Sequence, residues 1–437
     1  MNRFFTVFHQ IWTTKSLRDK ILFTIGALVV LRMAAHITIP GADMDKIKFI
    51  LERQNDGTGG GGVLSVFSLL TGGAMQYFSI VLMGLTPYIN ASIIMQLLAV
   101  VVPSLENLKK EGEIGQKKMS QYTRLLTIPL AFVQSYGMMV LINRFSPGGA
   151  IVDVKDLSVI LPMMLIVTAG TVFLMWLGEL ITEKGIGNGI SILIFAGIVS
   201  TVPTQIAGAF KSSGGFFTPV FLALVIATIL LTIFVVLVSE ADRRVPIVYA
   251  GRKSGANAKS FLPLKINQAG MIPIIFAISV VSVPSILAQF FAQSDSGMLQ
   301  QFGDFALKNL NPSSPSLIYN MVYAALIVGF TFFYVSIVFD PKKVAENIQK
   351  RGGFIPGYRP GIETEKFLAE TTSRLCFWGG LFLAFVAIFP LIFQNWLGGN
   401  SISLFISGAG IIIVVGVVLD IIRRINSQLV MHDYDKL

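Results

Sequence analysis

Cysteine is nearly missing from this chain, and charge is scarce. A single cysteine, Cys376, among 437 residues excludes an internal disulfide and any thiolate metal cluster. The three histidines, His9, His36 and His432, are too scattered in sequence to suggest a metal site. No G-x-x-x-x-G-K-S/T loop occurs, so the chain shows no nucleotide-binding motor of its own. No catalytic residues, cofactor or metal are expected. Only 13% of residues are charged while 53% are hydrophobic, and the mean hydropathy is +0.71. That composition belongs to an integral membrane protein of many spans.

The first twenty residues place Phe4, Phe8, Ile11 and Trp12 on one helical face, followed by Lys15, Arg18 and Lys20. This spacing predicts a helix lying in the membrane interface. No suitable apolar core and small-residue cleavage site appear there, so it does not read as a signal peptide. Ten spanning candidates follow, at 21–39, 75–102, 125–142, 159–181, 190–210, 220–238, 271–291, 317–339, 375–393 and 402–422. With this number both termini share one side. That side carries 26 Lys and Arg against 7 on the other, with Arg32 inside a span. Such a bias makes both termini cytosolic. Halves at 1–210 and 211–437 would each hold five spans and so be inverted in topology, a symmetry of many transporters and some channels.

The stretch Gly59–Val102 is the most unusual. Four glycines, Gly59 to Gly62, precede a short apolar piece, and Gly72-Gly73 interrupts before a longer one that carries Thr86-Pro87. The first piece is too short to span, since a spanning helix needs about 20 residues. Proline breaks the second. Non-helical backbone at that depth is tolerated only against protein or beside a water-filled cavity. The stretch therefore reads either as the lining of a pathway or as a re-entrant loop that merely packs.

Charges inside the spans separate carriers from pores. Ion-coupled transporters need ionisable or coordinating groups near mid-membrane. Here the spans hold Arg32, Glu179 near a cytosolic end (read as an interfacial acid close to Lys184) and Asp420 near another. A passive, apolar pathway fits better. Gly185-Ile186-Gly187-Asn188-Gly189 feeds straight into the fifth span, and Pro273 lies near the first turn of the seventh. Leu85 with Ile89, and Ile190 with Ile194, are i, i+4 pairs on one helical face. Periodicity alone reads them as lipid-facing or core.

Several motifs together resemble the SecY family, pore subunits of the bacterial protein-conducting channel. They are Thr86-Pro87-Tyr88-Ile89-Asn90-Ala91-Ser92-Ile93, Gly178-Glu179 through Gly187-Asn188-Gly189-Ile190-Ser191, and Leu262-Pro263-Leu264-Lys265 through Ile272-Pro273. The cytosolic runs Glu111-Gly112-Glu113 to Arg124 and Phe354-Ile355-Pro356-Gly357-Tyr358-Arg359-Pro360-Gly361 belong with them. The similarity covers nearly the whole chain, in order and with matching topology.

The resemblance implies an all-α fold of ten transmembrane helices, in two pseudo-symmetric inverted halves around an hourglass pore. It implies a ring of aliphatic side chains at Leu85, Ile89, Ile190, Ile194, Ile275 and Ile413. Leu85 stands where isoleucine is common, and Ser407-Gly408-Ala409-Gly410 replaces the usual Gly-Gly-Thr-Ser run before Ile413. A plug is implied within Ser65-Val66-Phe67-Ser68-Leu69-Leu70-Thr71-Gly72-Gly73, and a lateral gate including Thr86, Gln134 and Asn267.

Two long basic loops, 239–265 and 340–374, have Gly/Pro-shaped tips that present Arg252, Lys253 and Arg359. Topology sorting explains basic loops generally; rigid tips offering arginine suit phosphate or carboxylate partners. The resemblance implies the ribosome (RNA and protein) and the SecA ATPase docking here in alternation. It also implies the small subunits SecE and SecG, and signal sequences and nascent chains passing through or into lipid. The expected function is translocation of unfolded secretory proteins across the bacterial cytoplasmic membrane, with lateral release of membrane segments. A secondary transporter with inverted repeats is the alternative.

Overall fold

The computed structural model describes residues 12–40, 72–144, 156–213, 218–249, 260–291, 316–396 and 407–434, with 300, 301, 303, 305, 306 and 309. The expected interfacial face at Phe4, Phe8 and Ile11, the plug residues 65–71, and Arg252 and Lys253 lie outside the described residues. Among the described residues, each expected span except the second falls on one helix. The first half contributes α1 (Lys15–His36), α2 (Thr86–Val101), the short α3 (Pro103–Lys110), α4 (Glu113–Arg144), α5 (Leu157–Lys184) and α6 (Gly189–Ser213). The second contributes α7 (Pro219–Glu240), α8 (Ile272–Phe291), α9 (Leu317–Val338), the short α10 (Pro341–Lys350), α11 (Ile362–Trp396) and α12 (Gly408–Tyr434). Five of the described helical stretches are by themselves long and apolar enough to cross a membrane. The chain is a multi-span, predominantly helical membrane protein.

Helix starts are written in the sequence. Asp156, Thr218, Ser316 and Asp340 each accept a backbone N–H from the first turn that follows them. Two helices run further into the polar loops before them than expected. α4 begins at Glu113 and α11 at Ile362, because no breaker separates the polar approach from the apolar span.

The second span differs most from an ordinary helix. α2 begins only at Thr86, with Pro87 in its first turn, where the missing N–H has no intrahelical partner to lose. Ahead of it, Ala74–Tyr77 forms a single 3-10 turn, and the chain then runs without regular structure to Leu85. Two of its backbone groups pair with the residues that follow α1. Ile39 donates to the Phe78 carbonyl at 3.0 Å and Ile80 to the Ile37 carbonyl at 2.9 Å. Phe78 is fully buried and takes a left-handed φ of 43°, a strained choice for an aromatic residue. This is irregular backbone held inside protein, the condition under which a bilayer tolerates it.

Three apolar clusters organise the bundle. One, including Phe78, Met139 and Met163, draws only on residues 39–167. Another, including Val235, Ile274, Ile327 and Leu383, draws only on residues 231–419. The third takes most of its residues from α1, α5 and α6, and adds Ile275, Ile413 and Val417 from the second half. Two cores thus lie each within one stretch of the chain, and the third joins them, where α6 packs on α12 and α2 meets α8; Ala209 of α6 also packs on Phe221 and Leu224 of α7.

Outside the bundle, the two long loops form one small unit. β1 (Asp242–Tyr249), β2 (Ser260–Lys265) and β3 (Gly353–Phe354) make an antiparallel sheet of order β2-β1-β3, with Val245 opposite Leu262 and Val248 opposite Phe354. Val245, Leu264, Ala345, Ile355 and Leu368 form its core. A sheet was not expected from the sequence.

Candidate pore constriction

Leu85, Ile89, Ile190, Ile194, Ile275 and Ile413 come together in the shared cluster. Leu85, Ile194, Ile275 and Ile413 are buried, and Ile89 and Ile190 pack against them half-buried. Each is placed by a helix start. Leu85 is the residue just before α2, and Ile89 follows one turn later, its N–H donating to the Leu85 carbonyl at 2.9 Å.

On α6 the start is pinned to α5. Asn188 Oδ1 accepts from the N–H groups of Ile190 (3.1 Å) and Ser191 (3.3 Å), and Gly189 N–H donates to Thr182 Oγ1 at 2.8 Å. Gly189 also lies so close to α5 that a Cβ there would sit 1.9 Å from the Gly178 carbonyl oxygen. Ile275 follows Pro273 in the first turn of α8. Ile413 lies in the second turn of α12, whose start is capped by Ser407 Oγ accepting from Gly410 N–H at 3.1 Å. Gly408 there presses against the Val386 carbonyl of α11. The departure at Ser407–Gly410 leaves Ile413 within the cluster, 1% exposed.

This arrangement offers a passing ion nothing. All six side chains are aliphatic, and an apolar constriction tends to exclude water that a hydrated ion cannot replace. Beside it, a cavity of about 30 Å³ has room for roughly two water molecules. Leu85, Ile194, Arg32, Gly72 and Gly197 are among its lining. Arg32 Nη1 donates to the Gly72 carbonyl at 3.1 Å. Sequence reading noted Arg32 as an intramembrane charge and gave it no role. It missed Ser200, whose hydroxyl lies 3.2 Å from the same carbonyl, because nothing local marks a serine 128 positions away as a partner.

The three residues expected at a lateral gate are not joined to one another. Thr86 is buried at the start of α2. Gln134, on α4, keeps a buried Oε1 without a hydrogen-bond partner among the described residues. Asn267 closes the turn before α8, its Oδ1 accepting from Gly270 N–H at 2.9 Å. Among the described residues no hydrogen bond links any two of the three.

Several further charges lie toward the ends of the spans. Glu179 meets Arg124 of α4 at 2.6 Å, a partner the sequence reading did not name. Arg423 pairs with Glu240, and Arg424 with Asp420 at 3.0 Å, tying α12 to α7 and to itself. Lys265, at the end of β2, has its pKa lowered by partial burial and by Arg423, against the opposing pull of Glu240 and Asp420. At the loop tip, the Tyr358 ring lies 4.2 Å from that of Phe367. Arg359 N–H donates to the Glu363 carboxylate at 3.0 Å, and Thr364 donates to the Arg359 carbonyl at 2.9 Å. The tip backbone is fixed and the Arg359 residue is exposed.

The SecY family model matches residues 79–422. Protein translocase subunit SecY of Thermotoga maritima is 41% identical over 433 residues, covering 98% of this chain and 96% of that protein. Among solved structures, a SecY translocation channel whose plug domain is described as stabilising the closed state aligns with a TM-score of 0.61 at 20% identity, covering 96% of this chain and 93% of that one. Sec61 from the canine ribosome-channel complex aligns with a TM-score of 0.60 at 21% identity, with the same coverage.

Proposed function

The chain belongs to the SecY family, and on that premise we propose how it works as a protein-conducting channel. It is a translocase subunit, not an enzyme, and it conducts unfolded secretory chains across the membrane. The observation that carries the mechanism is the cluster of Leu85, Ile89, Ile190, Ile194, Ile275 and Ile413, drawn from both halves and free of charge. These residues form the waist. At rest they exclude water and ions. During passage their flexible side chains close around a moving polypeptide without binding any particular sequence.

The halves 1–210 and 211–437 part to admit that chain. Their separate cores let each move as a body, with the shared cluster and the seam between α2 and α8 to loosen and the contact of Ala209 with Phe221 and Leu224 left to hold α6 to α7. The seam is the lateral gate, with Thr86, Gln134 and Asn267 among its polar groups. The unpartnered Gln134 oxygen supports this reading, since it is available to a signal helix entering the seam. Interhelical hydrogen bonds in membranes contribute about 0.6 to 2 kcal/mol, enough to bias a gate shut and weak enough to yield. The segment Ser65–Gly73 is the plug over the outer funnel.

The membrane is the bacterial cytoplasmic one, with both termini cytosolic, as the 26-to-7 distribution of Lys and Arg supports. The sheet unit and the Arg359 tip face the cytosol and take the ribosome and SecA in turn, while SecE and SecG complete the complex. A secondary transporter would need ion-coordinating groups at the site, whereas the six ring side chains are aliphatic and the neighbouring Arg32 is bonded to the Gly72 carbonyl.

The test is site-specific crosslinking of a stalled secretory chain to photoreactive residues placed at Ile89 and Ile190. Crosslinks at both positions, absent from neighbouring lipid-facing sites such as Leu230, are expected. Crosslinks at Leu230 but at neither ring position would overturn the assignment.

A further inference from the structure

We propose that Arg32 is a positioning residue for the constriction: through the Gly72 carbonyl it clamps the non-helical wall that ends in Leu85 onto α6. The inference rests on the reading of the waist given above. A guanidinium inside a spanning segment is costly and is normally turned toward protein or a wet cavity. Arg32 does both, lining the cavity beside Leu85 and Ile194 while its Nη1 donates to Gly72 at 3.1 Å.

Gly72 is where two elements converge. Its carbonyl faces Arg32 of α1 and the Ser200 hydroxyl of α6 at 3.2 Å. Ser200 has one hydrogen, and the Gly197 carbonyl at 2.6 Å competes for it, so the guanidinium is the stronger tie. Contact with α6 is also steric. A Cβ at Gly72 would lie 2.6 Å from the Cα of Gly197, and the φ of +65° already requires glycine. Gly197 is one helical turn beyond Ile194, so the clamp grips α6 next to a ring residue.

From Gly72 the grip passes along the wall. Ser79 N–H donates to the Ala74 carbonyl at 3.1 Å, Phe78 and Ile80 are bonded to Ile39 and Ile37, and the His36 ring lies 4.5 Å from that of Tyr77. The first part of the wall is thus held to α1 and the residues just after it. Arg32 fixes Gly72 from the α1 side, and Gly72 meets α6 through the Ser200 hydroxyl and its close approach to Gly197. Leu85, at the far end of the wall, and Ile194, on α6, then keep one spacing across the shared cavity.

Resting ion conductance of the reconstituted complex, with export of a reporter bearing a weakened signal, tests the idea. Arg32→Met should raise both, conductance by roughly tenfold, the factor expected for a lost charged hydrogen bond. Arg32→Lys, which keeps a donor, should restore much of the closed behaviour, while a purely structural role would not distinguish the two. If Arg32→Met fails to accumulate, Ser200→Ala serves instead, with an expected rise of about threefold for its weaker bond.

Accumulation at normal levels with unchanged conductance in Arg32→Met overturns the clamp, as does an unchanged Ser200→Ala where that variant is needed. Ile190→Ser with Ile194→Ser is measured alongside. If it leaks and Arg32→Met does not, the waist stands and the clamp falls. If it does not leak, the reading of the waist falls and takes the clamp with it.

Discussion

Isoleucine and serine at positions 190 and 194 differ most in what they offer to water. Both residues lie in the first turns of α6, one turn apart, within the cluster that the two halves share. Replacing both with serine puts hydroxyls on one wall, so water should persist at the waist and the barrier to ions should fall. Burying an isoleucine side chain stabilises by roughly 1.5 to 3 kcal/mol, an upper bound here because Ile190 is only half-buried. If much of that favours the closed state, a secretory protein with a defective signal should be exported by the double variant. Ion leak and reporter export in one strain, at normal protein levels, check this. If neither rises, these residues serve packing alone. At this scale the sequence was legible only through family motifs. Periodicity sees two isoleucines four apart and cannot tell lipid, core and pore wall from one another, because all three surfaces are aliphatic. Arg32 was visible as an anomaly, but its partner is a backbone carbonyl forty residues away, and no side-chain pattern announces a carbonyl.

Elements in this bundle are set by how closely backbones approach. The non-helical wall from Ala74 to Leu85 lies against α5, where a Cβ on Gly170 would sit 1.9 Å from the Ile80 carbonyl oxygen. Backbone cannot swing aside as a side chain can. Gly170→Val should therefore push the wall off α5 and destabilise the protein by about 1 to 3 kcal/mol, the usual scale for overpacking. Gly137 in α4 is the control, since a Cβ there meets nothing within 4 Å. Gly137→Ala should be neutral, or stabilising by up to about 1 kcal/mol through helix propensity. Thermal unfolding in detergent of the two variants would separate them, and equal midpoints would show that the close approach carries no weight. The break at Thr86-Pro87 was readable, because proline's chemistry is local. The small sheet was not. β1 is polar at its start and carries Pro246, and it pairs with strands from two places, one about a hundred residues away. Such pairing depends on tertiary contacts rather than on local propensity.

Across the whole molecule, the sheet unit joins the two long loops to the ends of α7, α8 and α11. β1 follows α7, β2 leads into α8, and β3 precedes α11, so the two long loops share one core built on Val245, Ile355 and Leu368. The Arg359 tip stands on that core with its backbone held by Glu363 and Thr364 and by the Tyr358–Phe367 ring contact. An exposed guanidinium on a fixed backbone is suited to carry a load, since little of the applied force is lost in bending the loop. Arg359→Glu reverses one charge and leaves these backbone contacts in place, because the bonds to Glu363 and Thr364 use the main chain. Folding and membrane insertion should therefore be unchanged. Motor-driven transport should slow by at least about tenfold, within the range seen when one member of a close interfacial charge pair is lost. SecA-dependent import of a secretory protein into inverted vesicles, with ribosome-coupled insertion of a membrane protein measured in parallel, gives the two readouts. Slowed import with intact insertion assigns Arg359 to the motor contact. Equal slowing of both points to a contact shared with the ribosome. Import at the normal rate reduces Arg359 to one of the charges that orient the chain in the membrane.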